Sequence, residues 1–144
     1  MAKILMVGAF DTKGPEYAFL RDQIIARGHE VLAMNTGVIG EAEAFAVDFG
    51  ADEVAAAGGS SLEALRESRD RGAAMKAMSA GAAVVAKELF AAGRFDGIVG
   101  MGGSGGSSVV TAAMRALPVG VPKVCVSTVA SGDTSAYVGA KDIV

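Results

Sequence analysis

Four short apolar runs alternate with helical patterns along the 144 residues of this chain, and this alternation constrains the fold more than any other feature. The first run, Lys3 to Phe10, is almost continuously apolar, which is typical of a strand buried on both faces of a parallel sheet. Pro15 fits the first turn of a helix over residues 15–27, and Gly28 ends that helix. Glu30 to Thr36 is predicted as a second strand, so the chain opens with a right-handed β-α-β unit.

The middle of the chain is helical except at its start. Residues 36–50 are predicted as a loop, and residues 51–59 fit a short strand and a short helix equally well. Ser60 begins a helix, because the tetrapeptide SSLE has the capping-box pattern. The helical pattern then continues, with a break near Gly72, to Ala92.

The last part of the chain repeats the alternation. A third strand contains Ile98 and Val99 and leads into a glycine-rich loop and a helix that ends near Ala116. Residues 122–128 are predicted as a fourth strand, and the tail is a loop that leads towards one more strand. This order predicts one doubly wound α/β domain with a mostly parallel sheet and helices on both faces, a Rossmann-like three-layer sandwich.

Two helices have faces that the fold must cover. The first helix places Phe19, Ile24 and Ile25 towards one side. The small residues from Ala73 to Ala83 predict tight packing of one helix on another, or alternatively a subunit interface.

Composition excludes several classes of protein. The chain has a net charge of −3 and no basic stripe with interleaved aromatic residues, which argues against nucleic-acid binding. The first apolar run is too short for a signal peptide, and no run has the length of a membrane span, so we expect a cytoplasmic protein with no membrane partner. One histidine, His29, and one cysteine, Cys125, cannot form a zinc site, a disulfide or a Ser-His-Asp triad.

Polar or glycine-rich clusters follow all four predicted strands. They are Asp11-Thr12-Lys13, Asn35-Thr36-Gly37, the loop from Gly100 to Ser108, and Ser131-Gly132-Asp133. Doubly wound sheets bind ligands at the carboxyl ends of their strands, where the strand order reverses. We therefore expect these clusters to surround one ligand site.

The loop after the third strand is the clearest candidate for that site. Six glycines lie between Gly97 and Gly106, more than the close packing of a strand on a helix requires. A glycine-rich turn lets the free amides of a helix N-terminus approach a phosphate. The groups expected to bind phosphate are the amides of Gly102, Gly103, Gly105 and Gly106 and the hydroxyls of Ser104 and Ser107.

Two known phosphate-binding motifs do not account for this loop. Residues 100–105 match G-x-G-x-x-G, but the next strand has no acidic residue for a ribose, and the loop does not follow the first strand. No Gly-Lys-Ser/Thr sequence follows, so the loop is not a P-loop. The loop thus predicts a phosphate and leaves the rest of the ligand open.

The other clusters add charge and hydroxyl groups. Lys13 can neutralise a phosphate, Thr12 can donate to it and Asp11 can hold Mg²⁺, or alternatively Asp11 caps a helix and Lys13 is solvated. Asp133, which follows Ser131 and Gly132, is a second candidate for Mg²⁺ or a ribose hydroxyl, or alternatively forms an Asx turn. The cluster Asn35-Thr36-Gly37 either contacts the ribose or base or caps the second strand.

These segments together resemble the amino-terminal ATP-binding domain of the Tm-one-like family, the relatives of the tomato mosaic virus resistance protein. The resemblance covers nearly the whole chain and rests on GAFDTKGPEYAFLRDQI, NTGVIGE, EVAAAGGSSLEALRESRDRGAAMKAM, GRFDGIVGMGGSGGSSVVTAAM and KVCVSTVASGD. The family's DTK motif corresponds to residues 11–13, its glycine loop to residues 102–107 and its SGD motif to residues 131–133. Asn35 is a departure, because an aspartate is expected there in the family.

The resemblance implies an ATP-binding domain that pairs as a homo-dimer and is joined to a carboxy-terminal domain missing from this sequence. Whether ATP is hydrolysed, transferred or only bound is left open, and so is whether the protein is an enzyme. Two alternatives stand beside ATP binding. One is an enzyme domain for a phosphorylated small metabolite such as a sugar phosphate, and the other is a protein-interaction module with a vestigial nucleotide site.

Overall fold

The chain folds into the doubly wound α/β domain that its sequence predicts. The computed structural model describes all residues from 1 to 144, and its strands form one parallel sheet in the order β2-β1-β3-β4. The elements in chain order are β1 (Lys3–Gly8), α1 (Gly14–Ala26), β2 (Glu30–Asn35), α2 (Ala51–Ala57), α3 (Leu62–Ser68), α4 (Arg71–Ala91), β3 (Gly97–Gly102), α5 (Ser104–Arg115), β4 (Lys123–Ser127) and α6 (Ser135–Val138). None of these helices combines the length and apolar character needed to cross a bilayer.

The strand order reverses at β1. The chain passes from β1 to β2 on one side and then crosses to β3 on the other side of β1. β1 pairs with β2 along its whole length, whereas its pairing with β3 ends at Val7↔Gly100. Beyond that rung the carboxyl ends of β1 and β3 separate, which opens a crevice where such sheets bind ligands.

The sheet has a separate hydrophobic core on each face, because side chains alternate along its strands. The larger core lies against α2, α4 and α5 and includes Leu5 and Val7 of β1. The smaller core includes Met6 of β1 and Tyr17 of α1. α1 is the only helix that packs on this second face, so the sheet is covered unevenly.

Helices α2 and α4 touch through their backbones. A Cβ atom on Gly81 would lie 1.8 Å from the carbonyl oxygen of Val54, and one on Gly58 would lie 2.0 Å from that of Ala77. Neither distance admits any side chain. The small residues of 73–83 therefore serve tight helix packing within the chain, which was the first of the two predicted alternatives.

The buried face of α1 is not the one that the sequence predicted. Phe19 is 68% exposed and Ile25 is 44% exposed, whereas Gly14 and Tyr17 are buried. The prediction was wrong because α1 meets the sheet through the Tyr17 ring. That ring occupies the space above Gly8, where a Cβ would lie 2.0 Å from the ring carbon Cζ.

Local details of the middle and the tail also differ from the predictions. Ser61, not Ser60, caps α3, because its hydroxyl accepts the Ala64 amide at 3.1 Å. The ambiguous segment after residue 50 is the helix α2, and the predicted break lies just before α4, at residues 69–70. The tail forms the short helix α6 instead of a strand, and its last residue, Val144, makes backbone hydrogen bonds to β4.

Candidate functional site

A cleft opens at the carboxyl ends of β1 and β3, where the strand order reverses. It has a volume of about 270 Å³, and four separate segments line it. These are the β1-α1 loop (Ala9, Asp11, Thr12), the loop after β2 (Thr36, Gly37, Val38, Ile39), the first turns of α4 (Arg71, Ala74, Met75, Met78) and the start of α5 (Gly105, Gly106, Val109). The cleft therefore joins members of three of the four predicted clusters.

Helix α5 begins at this cleft with three free backbone amides. Gly103 is its N-cap, and no side chain caps the helix. The first bond of the helix is donated by the Ser107 amide to the Gly103 carbonyl at 2.9 Å, so the amides of residues 104–106 donate to no group in the chain. Free amides at a helix N-terminus carry a partial positive charge that favours an anion.

Glycine is present for different structural reasons at different positions of the loop. A Cβ on Gly102 would lie 2.8 Å from the Cα of Gly106, so glycine lets β3 turn directly into α5. At Gly105 no atom lies within 4 Å of a built Cβ. Glycine at 105 is thus not required by packing, and its bare backbone leaves the cleft open.

The hydroxyls of Ser104 and Ser107, which were expected to bind phosphate, are not part of the cleft wall. Ser107 is buried, and its hydroxyl donates to the Gly102 carbonyl at 3.3 Å and hydrogen-bonds with the Ser127 hydroxyl. Ser104 is exposed outside the wall, and its carbonyl accepts the Ser108 hydroxyl at 3.0 Å. The amides of the loop, rather than its hydroxyls, are the groups that the cleft offers to an anion.

Asp11 lies in the cleft wall, but both of its carboxylate oxygens hold the polypeptide together. Oδ1 accepts the Thr12 amide at 2.8 Å, and Oδ2 accepts the amides of Ile39 and Gly40 at 3.1 and 3.0 Å. Gly37 makes room for this carboxylate, since a Cβ there would lie 2.0 Å from Oδ1. Asp11 thus fixes the loop after β2 against the loop after β1.

Asn35 holds the same two loops from inside the protein. It is buried, and its Oδ1 accepts the amides of Phe10 and Gly37 at 3.1 and 2.9 Å. An aspartate would accept the same two bonds, so an asparagine here keeps the loop geometry. Asn35 does not line the cleft, whereas its neighbours Thr36 and Gly37 do.

Lys13 lies on the other side of the glycine loop. It lines a second cavity, of about 460 Å³, together with Gly102, Gly103 and Thr128. The loop therefore separates two cavities, with its first glycines towards Lys13 and Gly105 and Gly106 towards the cleft. Lys13 takes part in none of the three ion pairs of the chain.

The cluster Ser131-Gly132-Asp133 is not brought to the cleft. None of its residues lines either cavity beside the glycine loop. Hydrogen bonds from Ser135, whose amide lies 3.0 Å from Oδ1, lower the pKa of the exposed Asp133 carboxyl below its usual value. This is the geometry of the alternative prediction, an Asx turn. The chain contains no group of three His, Cys, Asp or Glu residues placed to hold a metal ion.

Tyr17 is a residue of this region that the sequence analysis missed. Its hydroxyl accepts the Met101 amide at 2.7 Å and lies 2.8 and 2.7 Å from the carbonyl oxygens of Val7 and Met101, to one of which it donates. These backbone groups lie where β1 and β3 separate, and burial raises the pKa of the Tyr17 phenol, which keeps it a donor. Tyr17 therefore fastens the strands at the base of the crevice.

Arg71 is the second missed residue, and it adds a positive charge to the cleft. It is the exposed first residue of α4, it lines the cleft and it forms no ion pair. The Asp70 carboxylate caps this helix by accepting the Ala73 amide at 3.1 Å. The Asp70 cap can be predicted from sequence. The position of Arg71 beside the glycine loop, more than 30 residues away, cannot.

The sequence is similar to known proteins over almost its whole length. Residues 2–144 match the N-terminal domain of UPF0261, an uncharacterised protein family. A UPF0261 protein of Clostridium tetani is 49% identical over 141 residues, and one of Mesorhizobium japonicum is 44% identical over 146 residues. These matches cover 98% and 100% of this chain but 35% of each relative, so the chain spans about a third of their length.

The similarity to the tomato protein is shorter. The ToMV resistance protein Tm-1(GCR237) of Solanum lycopersicum is 56% identical over 48 residues, which is 33% of this chain and 6% of that protein. The resemblance noted from sequence is therefore supported over a third of the chain. The match over residues 2–144 and the relatives that cover the whole sequence show that the chain belongs to the uncharacterised family UPF0261, as its N-terminal domain.

Proposed function

We propose that the cleft binds the phosphate groups of a nucleotide, with ATP as the first candidate. The observation that carries this proposal is the start of α5, a helix N-terminus that no side chain caps, whose residues Gly105 and Gly106 line the same cleft as the unpaired Arg71 guanidinium. Helix amides and an arginine are a common combination for phosphate oxygens. The position at the strand-order reversal adds support, because doubly wound sheets bind ligands there.

The wall of the cleft suggests how a nucleotide would lie. The amides of residues 104–106 would bind one phosphate, with the Thr12 hydroxyl and Arg71 as further donors. The rest of the wall is largely apolar, with Val38 and Met75 among its residues, and would accept the base. Lys13, across the loop, would act on the phosphates only if they extend into the second cavity.

Magnesium fits this site as a companion of the phosphates rather than as a resident ion. Mg²⁺ is commonly held by one or two carboxylates together with phosphate oxygens and water. Asp11 is the one carboxylate in the cleft wall, and each of its oxygens already accepts a backbone amide. We therefore propose that Mg²⁺ comes with ATP and that Asp11 is its single protein ligand, while a metal role for Asp133 stays a prediction without support from the cleft.

Substitution of Gly105 is the sharpest test of the proposal. Gly105→Val adds a branched side chain at a residue of the cleft wall where a Cβ would meet no atom within 4 Å, so we expect it to occupy space in the cleft. The melting temperature of the unliganded protein should change little, because valine is a slightly better helix former than glycine. ATP at about 100 times its Kd stabilises the wild type by about 2.7 kcal/mol, a shift of about 10 °C at this size, and the variant should lose most of that shift.

Gly72→Val is the matched control. Gly72 is the second residue of α4, as Gly105 is of α5, but it does not line the cleft. This variant should keep the ATP-induced shift. The proposal fails if wild-type protein shows no shift with ATP, with or without Mg²⁺.

The small size of the cleft favours a second candidate, a phosphorylated small metabolite. Its volume of about 270 Å³ lies below the range of about 300–1,000 Å³ that is typical of ligand pockets. The same melting assay with inorganic phosphate, ribose 5-phosphate, AMP and ATP separates the candidates. Larger shifts with ribose 5-phosphate than with ATP would replace the nucleotide by a sugar phosphate, and no shift with any of them would leave an interaction module with a vestigial site.

A further inference from the structure

One side of the sheet has an apolar surface that no element covers. It lies on the face that carries α1 and consists of Phe19, Val124 and Val126, which are 68%, 44% and 57% exposed. Phe19 and Val124 also line a groove of about 570 Å³ between α1 and β4, with Ile24 and Val99 in its wall. The opposite face of β4 is packed by α5. We call the exposed surface of Phe19, Val124 and Val126 the β4 face.

The last residue bonds to the free edge of β4. The Val144 amide donates to the Lys123 carbonyl at 3.0 Å, and the Val144 carbonyl accepts the Cys125 amide at 2.8 Å. A residue that bonds in this way to both neighbours of its partner forms a rung of a parallel ladder. Val144 is thus aligned with Val124 as the first rung of a strand parallel to β4.

Relatives of this chain continue far beyond the matched region. The Clostridium tetani and Mesorhizobium japonicum proteins each match over 35% of their length, and the matched region is their family's N-terminal domain. A polypeptide that continues from residue 144 leaves the domain at the edge of β4, directly beside the uncovered face.

We propose that the polypeptide after residue 144 in longer proteins of this family forms a fifth parallel strand along β4 and then packs on the β4 face. The strand extends the rung that Val144 begins. The segment after it has to use the α1 face, because α5 already covers the other face of β4. Burial of the three exposed apolar side chains supplies the driving force.

The ladder fixes which groups would bond. Along a parallel strand the amides that point to one edge alternate, so the Ser127 amide points to the same outer edge as the Cys125 amide. Residue 146 would therefore donate to the Cys125 carbonyl and accept the Ser127 amide. Protection of the Ser127 amide, which lies within residues 1–144, therefore reports whether the fifth strand forms.

Hydrogen exchange tests this proposal. Residues 1–144 are compared with a chimaera that adds the segment following the matched region of the Clostridium tetani protein. Exchange of the Ser127 amide should slow by at least 100-fold in the chimaera, while the amides of β1 stay equally protected in both chains. Equal, fast exchange of the Ser127 amide in both chains overturns the proposal.

Charge substitutions distinguish whether the polypeptide after residue 144 or a second copy of the chain covers the β4 face. Val126→Lys should leave the melting temperature of residues 1–144 unchanged and lower that of the chimaera by several degrees. Val119→Lys is the control, because Val119 is similarly exposed but lies in the loop before β4. If residues 1–144 form a dimer that Val126→Lys dissociates, and the chimaera forms the same dimer, a second copy covers the face and the proposal is wrong.

A chimaera could fold without natural pairing of its parts, so the relative itself provides a second measurement. In the whole Clostridium tetani protein the strand aligned with β4 should exchange more slowly than in its excised first third. Equal exchange in both forms would overturn the proposal independently of the chimaera.

Discussion

Asp11 and Asn35 position the loops of the candidate site. Their side-chain oxygens already accept backbone amides, unlike the Arg71 guanidinium, which has no partner in the chain. The oxygens of Asp11 accept three backbone amides, and Asn35 Oδ1 accepts two. The two Asn35 bonds are buried and therefore costly to break, because each freed amide would lose its partner away from water. A ligand would therefore meet the amides of α5 and the Arg71 guanidinium before it could recruit these oxygens.

The Tyr17 hydroxyl should contribute measurably to stability. Tyr17→Phe leaves the Met101 amide without its acceptor at the buried point where β1 and β3 separate. An unsatisfied buried amide costs about 1–3 kcal/mol, and we expect a loss of this size in the free energy of unfolding from urea titration.

Tyr137→Phe is the control, because the Tyr137 hydroxyl makes no hydrogen bond within the chain while its backbone carbonyl accepts the Arg115 guanidinium. This change should alter stability by less than about 0.5 kcal/mol. Equal effects of the two substitutions would show that Tyr17 acts through its ring alone.

The pairing of Lys123 with Asp142 predicts a dependence of stability on pH. The buried Lys123 ammonium donates to Asp142 at 2.6 Å, and this bond, with one from the Gly120 amide at 2.8 Å, lowers the pKa of Asp142 to about 2. The pKa of an unfolded aspartate is about 3.9. Because the folded value is the lower one, ionised Asp142 stabilises the fold fully above about pH 4 and ceases to do so as the pH falls to about 2.

The measurement compares the wild type with Asp142→Asn. The difference between their free energies of unfolding should be constant at neutral pH and should shrink between about pH 4 and about pH 2. Asp22→Asn serves as the control, since Asp22 is 71% exposed and pairs only with its neighbour Arg21. A difference that does not change with pH would contradict the role assigned to Asp142.

Among the elements, α2 and α4 depend most strictly on small residues. Gly81→Ala would favour an isolated helix by about 1 kcal/mol. In the fold its Cβ would lie 1.8 Å from the Val54 carbonyl oxygen, so the two helices must separate. We expect a net loss of about 1–3 kcal/mol, as for other overpacked sites, in a urea titration.

Gly105→Ala is the matched control for this prediction. Gly105 also lies in a helix, but its Cβ would meet no atom within 4 Å. Alanine there should leave stability unchanged or raise it by up to about 1 kcal/mol. A stable Gly81→Ala protein would show that α2 and α4 do not approach as closely in solution.

The elements also show what the sequence could predict. Three of the four strands were predicted to within about two residues, because continuous apolar runs of this length between glycines and polar residues favour buried parallel strands. The third was placed only at Ile98 and Val99, with a loop from Gly100 to Ser108, whereas β3 continues to Gly102 and α5 begins at Ser104. The buried face of α1 could not be predicted. Tyr17 is buried because its hydroxyl bonds to the backbone of Val7 and Met101, and these contacts cannot be recognised from the sequence of α1. The position of the glycine loop was predictable, whereas Arg71 reaches the cleft only through the tertiary fold.

At the scale of the whole molecule, the cleft places the Arg71 guanidinium and the start of α5 beside one carboxylate, Asp11, in a protein of net charge −3. The groups proposed to bind an anion are the amides at the start of α5 and the Arg71 guanidinium, while Lys13 lies in the second cavity. The fold itself forms this site. The carboxyl ends of β1 and β3 separate where the strand order reverses, and α4, in the connection between β2 and β3, places Arg71 at that opening.

This arrangement predicts that Arg71 supplies most of the side-chain charge that a phosphate meets. A hydrogen bond to a charged group contributes about 1.5–3 kcal/mol, so Arg71→Gln should weaken phosphate-ligand binding by about 10- to 100-fold in calorimetry. It should also reduce the dependence of Kd on salt, because screening acts on the charge that has been removed. Lys76→Gln, which changes an exposed cation of the same helix outside the cleft wall, should alter neither the affinity nor the salt dependence. Equal effects of the two substitutions would mean that the ligand responds to net charge alone and does not lie beside Arg71.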